Sequence, residues 1–221
     1  MTPKLLSVNV AVPGVLRARG REVKTGIFKE PAAGRVALGR LGLEGDFQAD
    51  HRYHGGPEQA VYAFSSEHSA RFAADLGKPE TLPPGFFGEN FTTAGLTEGD
   101  CAVGDVFRVG SATVQVTKPR SPCFKLGLRI GSAAFLKRFL ESGRIGFYLR
   151  VLEEGEVGAR DEIRQIERPS PALLVSDLIR LLYFRPVDPE SLQRALAARG
   201  LPSPMRERLA EIREETSSRL F

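Results

Sequence analysis

The sequence predicts a mainly β domain followed by a small all-α unit, and three observations carry that reading. Up to about Arg168 the chain is a series of short runs separated by glycine turns, the signature of strands in a barrel or sandwich. Gly45-Asp46, Gly99-Asp100 and Gly104-Asp105 each set a turn pair before a strand or loop. After Pro169 and Pro171 the period changes, and apolar residues recur at three- and four-residue spacing. The boundaries that follow are 1–168 for the β domain and 169–221 for the helical unit.

Leu6, Val8, Val10 and Val12 alternate with Ser7, Asn9 and Ala11, so residues 5–12 read as a first strand and not as a signal peptide. Further strands are expected at 22–27, 34–38, 60–64, 89–93, 105–109, 112–117, 147–152 and 162–166. A helix over 66–76 begins at a serine and stops before Gly77. Another over 133–141 has Ser132 as N-cap and Gly143 as its stop. In the second unit, helices are expected at 173–183, 189–199 and 204–216, separated by prolines and Gly200. Leu174, Leu178, Leu181 and Leu182 form the apolar stripe of the first. The unit holds no cysteine or histidine, so it reads as a structural cap on the β domain, with a docking module as the functional alternative.

With 42% hydrophobic and 26% charged residues in 221, the composition suits one large domain plus an appendage. The net charge of +4 comes from scattered residues and no basic tract, so a nucleic-acid polymer is not an expected partner. Two cysteines, Cys101 and Cys123, are too few for a disulfide scaffold, a four-cysteine zinc site or an all-cysteine iron–sulfur cluster. A free thiol suits a reducing cytoplasm, and no apolar run reaches membrane-spanning length. A cytoplasmic protein without a membrane partner is therefore expected.

The chemistry concentrates around Cys123. The strand of residues 112–117 is broken by Pro119 and Pro122, which cannot donate to a ladder. Lys118, Arg120 and Lys125 surround the cysteine, and cations stabilise the thiolate that attacks electrophiles or binds soft metals. Cys101, between turn residues, reads instead as a small apolar filler. Upstream, Asp46, Asp50, His51 and His54 have the chemistry of a hydrolytic metal site, but two histidines without a third ligand are a weak signal. His51 reads as a solvated loop residue. His54 precedes Gly55-Gly56, where backbone can pass close to a ligand, and offers that ligand a donor or acceptor. His68 reads as a surface residue. Lys24, Thr25 and Lys29 flank Gly26 as a phosphate grip. Asn90 follows Gly88-Glu89 between aromatics, and either ties down a loop or points into a site.

Taken together, Lys24-Thr25-Gly26-Ile27, Gly42-Leu43-Glu44-Gly45-Asp46, His54-Gly55-Gly56, Phe87-Gly88-Glu89-Asn90 and Lys118-Pro119-Arg120-Ser121-Pro122-Cys123 resemble the MOSC domain (molybdenum cofactor sulfurase C-terminal domain). Their order and spacing resemble its YiiM-like branch, and the helices after Pro171 resemble the small helical domain found there. Ala159-Arg160-Asp161 departs from the usual Gly-Asp turn. The resemblance implies a β-barrel-like domain that binds a pyranopterin molybdenum cofactor, with Cys123 as the protein ligand to molybdenum. It implies reduction of N-hydroxylated bases, hydroxylamines and amidoximes to the corresponding amines, a detoxifying oxidoreductase activity. Lys24-Thr25 resembles a Lys-Ser pair that lies against the cofactor in related proteins, and Asn90 an asparagine near the metal.

On this reading Cys123, His54 and Asn90 form the catalytic set. Lys24, Thr25, Lys29, Gly55, Gly56, Arg120 and Lys125 hold the cofactor, and His54 is the proton donor. The expected partners are an N-hydroxylated small molecule, a separate electron-donor reductase and, as a homodimer, a second copy of the chain. Three alternatives stand beside it: a persulfide carrier built on Cys123, a cofactor storage or delivery module, and a zinc hydrolase built on His51 and His54.

Overall fold

The computed structural model describes residues 2–50, 55–78 and 81–217. The elements run β1 (Lys4–Ala11), β2 (Gly14–Ala18), β3 (Arg21–Thr25), β4 (Lys29–Pro31), β5 (Val36–Gly39), β6 (Gly42–Leu43), β7 (Val61–Ser65), α1 (Ser69–Asp75), β8 (Phe91–Ala94), β9 (Val106–Val109) and β10 (Ala112–Pro119). Then come α2 (Phe124–Ile130), α3 (Ala133–Glu141), β11 (Phe147–Glu153), β12 (Gly155–Val157), β13 (Ile163–Glu167), α4 (Val175–Tyr183), α5 (Pro189–Ala197) and α6 (Ser203–Ser217). Each expected strand and helix is present within a few residues. The short β2, β4, β6 and β12 and the helix α2 are additional.

The main sheet has eight strands in the order β13-β9-β10-β11-β7-β8-β1-β4, antiparallel except for the parallel β7–β8 pair. The sheet does not close into the barrel expected from the sequence. β1 gives residues 9–11 to β4, so only its first residues meet the segment before β13. The contact there is an isolated Lys4–Glu162 bridge with a few backbone hydrogen bonds, such as Leu5 N to Asp161 O at 2.9 Å. A register shift between Leu5 and Ser7 further interrupts the β1–β8 ladder. Separately, β12-β5-β6 form a small sheet, and β2–β3 form a two-stranded hairpin of their own. Its tip, Arg19-Gly20, has φ of 49° and 75°, as tight two-residue hairpin turns require.

One face of the main sheet carries an aromatic core. Phe64 of β7, Phe72 of α1, Phe87, and Phe135 and Phe139 of α3 are all buried. Ring centroids lie 4.5 Å apart for Phe64–Phe87, 5.1 Å for Phe72–Phe139 and 5.3 Å for Phe87–Phe139. Burying each ring contributes about 2–3 kcal/mol. The cluster fixes α1, α3 and the 83–88 loop against the sheet beneath the site.

The terminal helices have their own apolar cluster, including Leu178, Leu181, Leu192, Leu209 and Ile212, joined by Val103 from the β region. Helix α4 faces two ways, because its Val175 and Ile179 belong to the main core. Polar contacts tie the regions together: Val103 N donates to Leu173 O at 2.8 Å, Val175 N to Cys101 O at 2.9 Å and Ser176 N to Glu98 O at 2.9 Å, and Ser121 Oγ lies 2.8 Å from Tyr183 Oη. A boundary at 168/169 thus falls just before a helix that both clusters use. Among the described residues, no helix is long and apolar enough to cross a membrane.

Candidate functional site

Of the expected site residues, Thr25, Lys29, Gly55, Asn90, Arg120, Cys123 and Lys125 line one cavity of about 100 Å³. They come from seven separate places in the chain: the end of β3, β4, the segment before residue 57, the segment before β8, the end of β10, the loop before α2, and α2 itself. Tyr62 and Tyr148 complete the wall. The sequence reading does not include these two phenols, which look like ordinary strand residues; the register that sets Tyr148 opposite Tyr62 brings them side by side. A larger hollow of about 700 Å³ lies between the end of α3 and helices α4 and α5, lined by Leu173, Asp177 and Arg180 among others. None of the expected site residues reaches it, so the smaller cavity is the one with chemistry.

Lys24 is exposed and lies outside the cavity wall, because strand alternation turns it away from Thr25. Thr25 is buried, and its hydroxyl accepts from Ile27 N at 3.1 Å, closing the turn that follows β3. Lys118 is also outside the wall, with Nζ 5.9 Å from the centre of the Tyr148 ring. Burial pulls its pKa down, against the attraction of Glu58. Gly56 is exposed beside Gly55. His51 and His54 lie outside the described residues.

Two close approaches at glycines shape the cavity, one to backbone and one to a side chain. A Cβ on Gly26 would come within 2.0 Å of Phe47 O, so the turn after β3 and the 46–49 segment can touch only because this residue is glycine. Gly55 has φ of 86°, and a Cβ there would come within 2.7 Å of Gln48 Oε1.

Asp46 is the hub of the wall. Its Oδ1 accepts from Ala11 N at 2.8 Å, and its Oδ2 accepts from Asn90 Nδ2 at 2.9 Å. The Lys29 ammonium donates to both oxygens, at 2.5 and 2.7 Å. Burial lowers the pKa of Lys29, opposed by the charge of Asp46. Asn90 also donates to Asn9 O at 3.2 Å and accepts from Tyr62 N at 3.1 Å. Both its amide protons and its carbonyl are therefore engaged within the protein, and the side chain ties three segments together. Beside it, buried Glu89 accepts from Gly85 N at 2.7 Å and Phe87 N at 3.0 Å, organising the 83–88 loop. Burial raises its pKa, against those hydrogen bonds.

Arg120 is 6% exposed, with its guanidinium carbon 4.7 Å from the centre of the Tyr62 ring and 5.9 Å from that of Phe139. Its Nη1 is buried and has no hydrogen-bond partner among the described residues. A buried donor left unsatisfied costs about 1–3 kcal/mol, so this one marks a place prepared for an acceptor. Burial raises the pKa of Tyr148, against the neighbouring Arg120 cation, so the phenol keeps its proton. Cys123 is half-buried and Cys101 fully buried, and neither forms a disulfide. Burial pushes the Cys101 thiol well above its ordinary pKa, so Cys101 does not supply a thiolate.

His68 corrects the surface reading: it is buried, its Nε2 is 2.8 Å from Glu98 Oε2, and its ring stands edge-on to Phe64. It precedes Phe72 by four residues and so shares that buried face. Glu98 Oε1 accepts from Gly146 N at 2.6 Å, and Gly146 O accepts from Arg120 N at 3.0 Å. Tyr62 Oη donates to Ile145 O at 2.9 Å, so the same backbone step holds both Tyr62 and Arg120. His68→Leu is expected to cost about 1–3 kcal/mol by leaving the buried Glu98 carboxylate short of a donor, and His68→Gln to recover part of that. Urea unfolding of the two variants checks this, and equal midpoints would disprove it.

The family described as "MOSC domain" matches residues 50–164. The uncharacterized protein YflK of Bacillus subtilis is 38% identical over 89% of this chain and 88% of its own length. A protein named "Reductase" from Gibberella moniliformis is 32% identical over 77% of this chain, which spans 30% of that larger protein. The crystal structure of YiiM from Geobacillus stearothermophilus superposes with a TM-score of 0.79 at 30% identity, covering 96% of this chain and 99% of that one. With this site, this fold and these relatives, the chain belongs to the MOSC domain family, in its YiiM-like branch.

Proposed function

We propose that the cavity holds a molybdenum cofactor and that the protein is a cofactor-dependent reductase of N-hydroxylated compounds. The observation that carries the reading is the buried, unpartnered Nη1 of Arg120 in the wall that also presents Cys123. A guanidinium with one buried donor left open, next to a thiol, suits an anionic group on one side and a soft metal on the other. The residues present fit: the half-open cavity of about 100 Å³ has room for an oxyanion or a metal centre between Arg120 and Cys123. The "MOSC domain" family and the "Reductase" relative support the same direction.

Cys123 would hold the metal, and Arg120 and Lys125 would neutralise the anionic charge of the group. Thr25 and Gly55 would bring hydroxyl and backbone close to it. Lys29 would contribute less than the sequence suggests, since its ammonium already serves Asp46. Lys24 would act only at the edge, being exposed. When bound, the cofactor supplies the two-electron redox chemistry. Asn90 acts by position: it holds Asp46, Asn9 and Tyr62 in register. Tyr148 keeps a proton on its phenol at the wall. His54 remains the proposed proton donor to the leaving oxygen.

The test is molybdenum and pterin content of protein made in a cell that synthesises the cofactor, alongside reduction of an N-hydroxylated purine. Molybdenum near one per chain with turnover is expected. Sulfane sulfur on Cys123 with no metal would instead select the persulfide carrier, and bound pterin without turnover the storage module.

A further inference from the structure

We propose that the β2–β3 hairpin is the docking arm for an acidic electron-transfer protein that reduces the site, a proposal that rests on the reductase reading above. Residues 14–25 carry four cations, Arg17, Arg19, Arg21 and Lys24, and one carboxylate, Glu22, a net charge of +3 in a chain whose total is +4. This short hairpin therefore holds a net charge equal to most of the chain's excess, which corrects the scattered distribution read from the sequence. All four cations are exposed, and none forms an ion pair among the described residues. By contrast Arg108, Arg150 and Arg194 each meet a carboxylate within about 3 Å, at 3.0, 2.8 and 3.0 Å. Exposed cations grouped on one hairpin without ion-pair partners among the described residues set up a local field that steers an acidic partner.

The hairpin is also in the right place. β3 ends at Thr25, in the wall of the Cys123 cavity. Helix α2, which begins one residue after Cys123, packs against β2. Exposed apolar side chains stand on these same two elements, Phe124 at 57% and Val15 at 50%. A small apolar centre with charge around it suits a transient redox encounter, which belongs to the smallest class of interfaces.

The chemistry calls for such a partner. Reduction breaks the N–O bond: R–NHOH plus two electrons and two protons gives R–NH2 and water. The protons come from solvent through the site, and the donor is oxidised by loss of the two electrons, from one fully reduced flavin or from two one-electron iron–sulfur carriers. With two cysteines, these 221 residues do not supply the four thiolates of an all-cysteine iron–sulfur cluster to store them. A flavin or iron–sulfur protein with a negative surface supplies the electrons and matches the hairpin.

The experiment uses the cofactor-loaded protein, an N-hydroxylated purine, and two reductants in parallel: a chemically reduced plant-type ferredoxin of net negative charge, and reduced methyl viologen. In the variant Arg17→Gln/Arg19→Asn/Arg21→Gln, the ferredoxin-driven rate at low ionic strength is expected to fall at least about tenfold and to lose its salt dependence, with the viologen-driven rate unchanged. The triple lysine variant at the same positions keeps the charge and is expected to retain the ferredoxin rate, which separates charge from folding. An unchanged ferredoxin rate in the neutralised variant overturns the proposal. So does a parent protein that turns over with viologen but takes no electrons from ferredoxin. Loss of duplex DNA binding in the neutralised variant, with the ferredoxin rate intact, assigns the arm to nucleic acid and also overturns it. A parent inactive with both reductants removes the reductase reading, and the docking arm with it.

Discussion

Cys123→Ala is expected to give a folded protein that carries no molybdenum and does not reduce N-hydroxylated compounds, whereas Cys101→Ala keeps both. Cys123 sits half-buried in the cavity wall, so trimming its sulfur removes few core contacts and costs within about 1 kcal/mol. The loss falls on the metal instead. Removing a ligand outright should weaken metal affinity at least as much as losing an outer-shell partner does, about a hundred-fold. Cys101 is the control, with 0% exposure and a pKa pushed up by burial. Its substitution opens a small void in the core and is read in stability, not in metal. Metal analysis and urea unfolding of the two variants distinguish the roles. Equal molybdenum in both would remove Cys123 from the metal.

Arg120→Met tests the other side of the cavity. The substitution keeps much of the length and apolar bulk but deletes the charge and the unpartnered Nη1. Losing one charge-assisted contact to an anion weakens cofactor binding by about 1.5–3 kcal/mol, ten- to a hundred-fold. The cofactor-free protein should respond differently. Methionine relieves an unsatisfied buried donor that costs about 1–3 kcal/mol, while it forfeits a cation–π contact with Tyr62 worth about 1–2 kcal/mol. These nearly cancel, so the melting temperature of the cofactor-free form should move little as occupancy falls. A protein that loses stability yet binds cofactor as before would make Arg120 a structural residue and take away the main support for the anion site.

The sequence revealed the periodic elements and the cysteine segment, and it hid what depends on register. Alternation at 112–117 and the two prolines end a strand ahead of Cys123; in the structure β10 runs on to Pro119 through a register shift beside β11, and Cys123 stands at the N-cap of α2. Nothing local announces Tyr62 and Tyr148 as neighbours, because their meeting depends on how β11 lies against β7. Asp46 looks like a metal ligand in a run of Asp and His. Its oxygens are taken up by Ala11, Lys29 and Asn90, which are 35, 17 and 44 residues away. The Lys24-Thr25 pair divides because adjacent strand residues face opposite ways. The open edge of the sheet follows from where β4 docks and from one bulge in β1, neither of which leaves a mark in hydropathy. His68 was legible in principle, since its four-residue offset from Phe72 places it on the apolar side of its helix.

The hydrogen bond between Ser121 and Tyr183 joins the cysteine loop to the last residue of α4. It is solvent-exposed and worth about 1 kcal/mol, the kind of contact that opens long before the core does. Helix α4 is itself shared by two apolar clusters, so fraying at its C-terminal end would be a sub-global event that reaches the Cys123 loop without melting the sheet. Amide exchange near Cys123 should therefore follow the opening of the terminal helices, and the rate at which a bound cofactor escapes would be set by the same breathing motion.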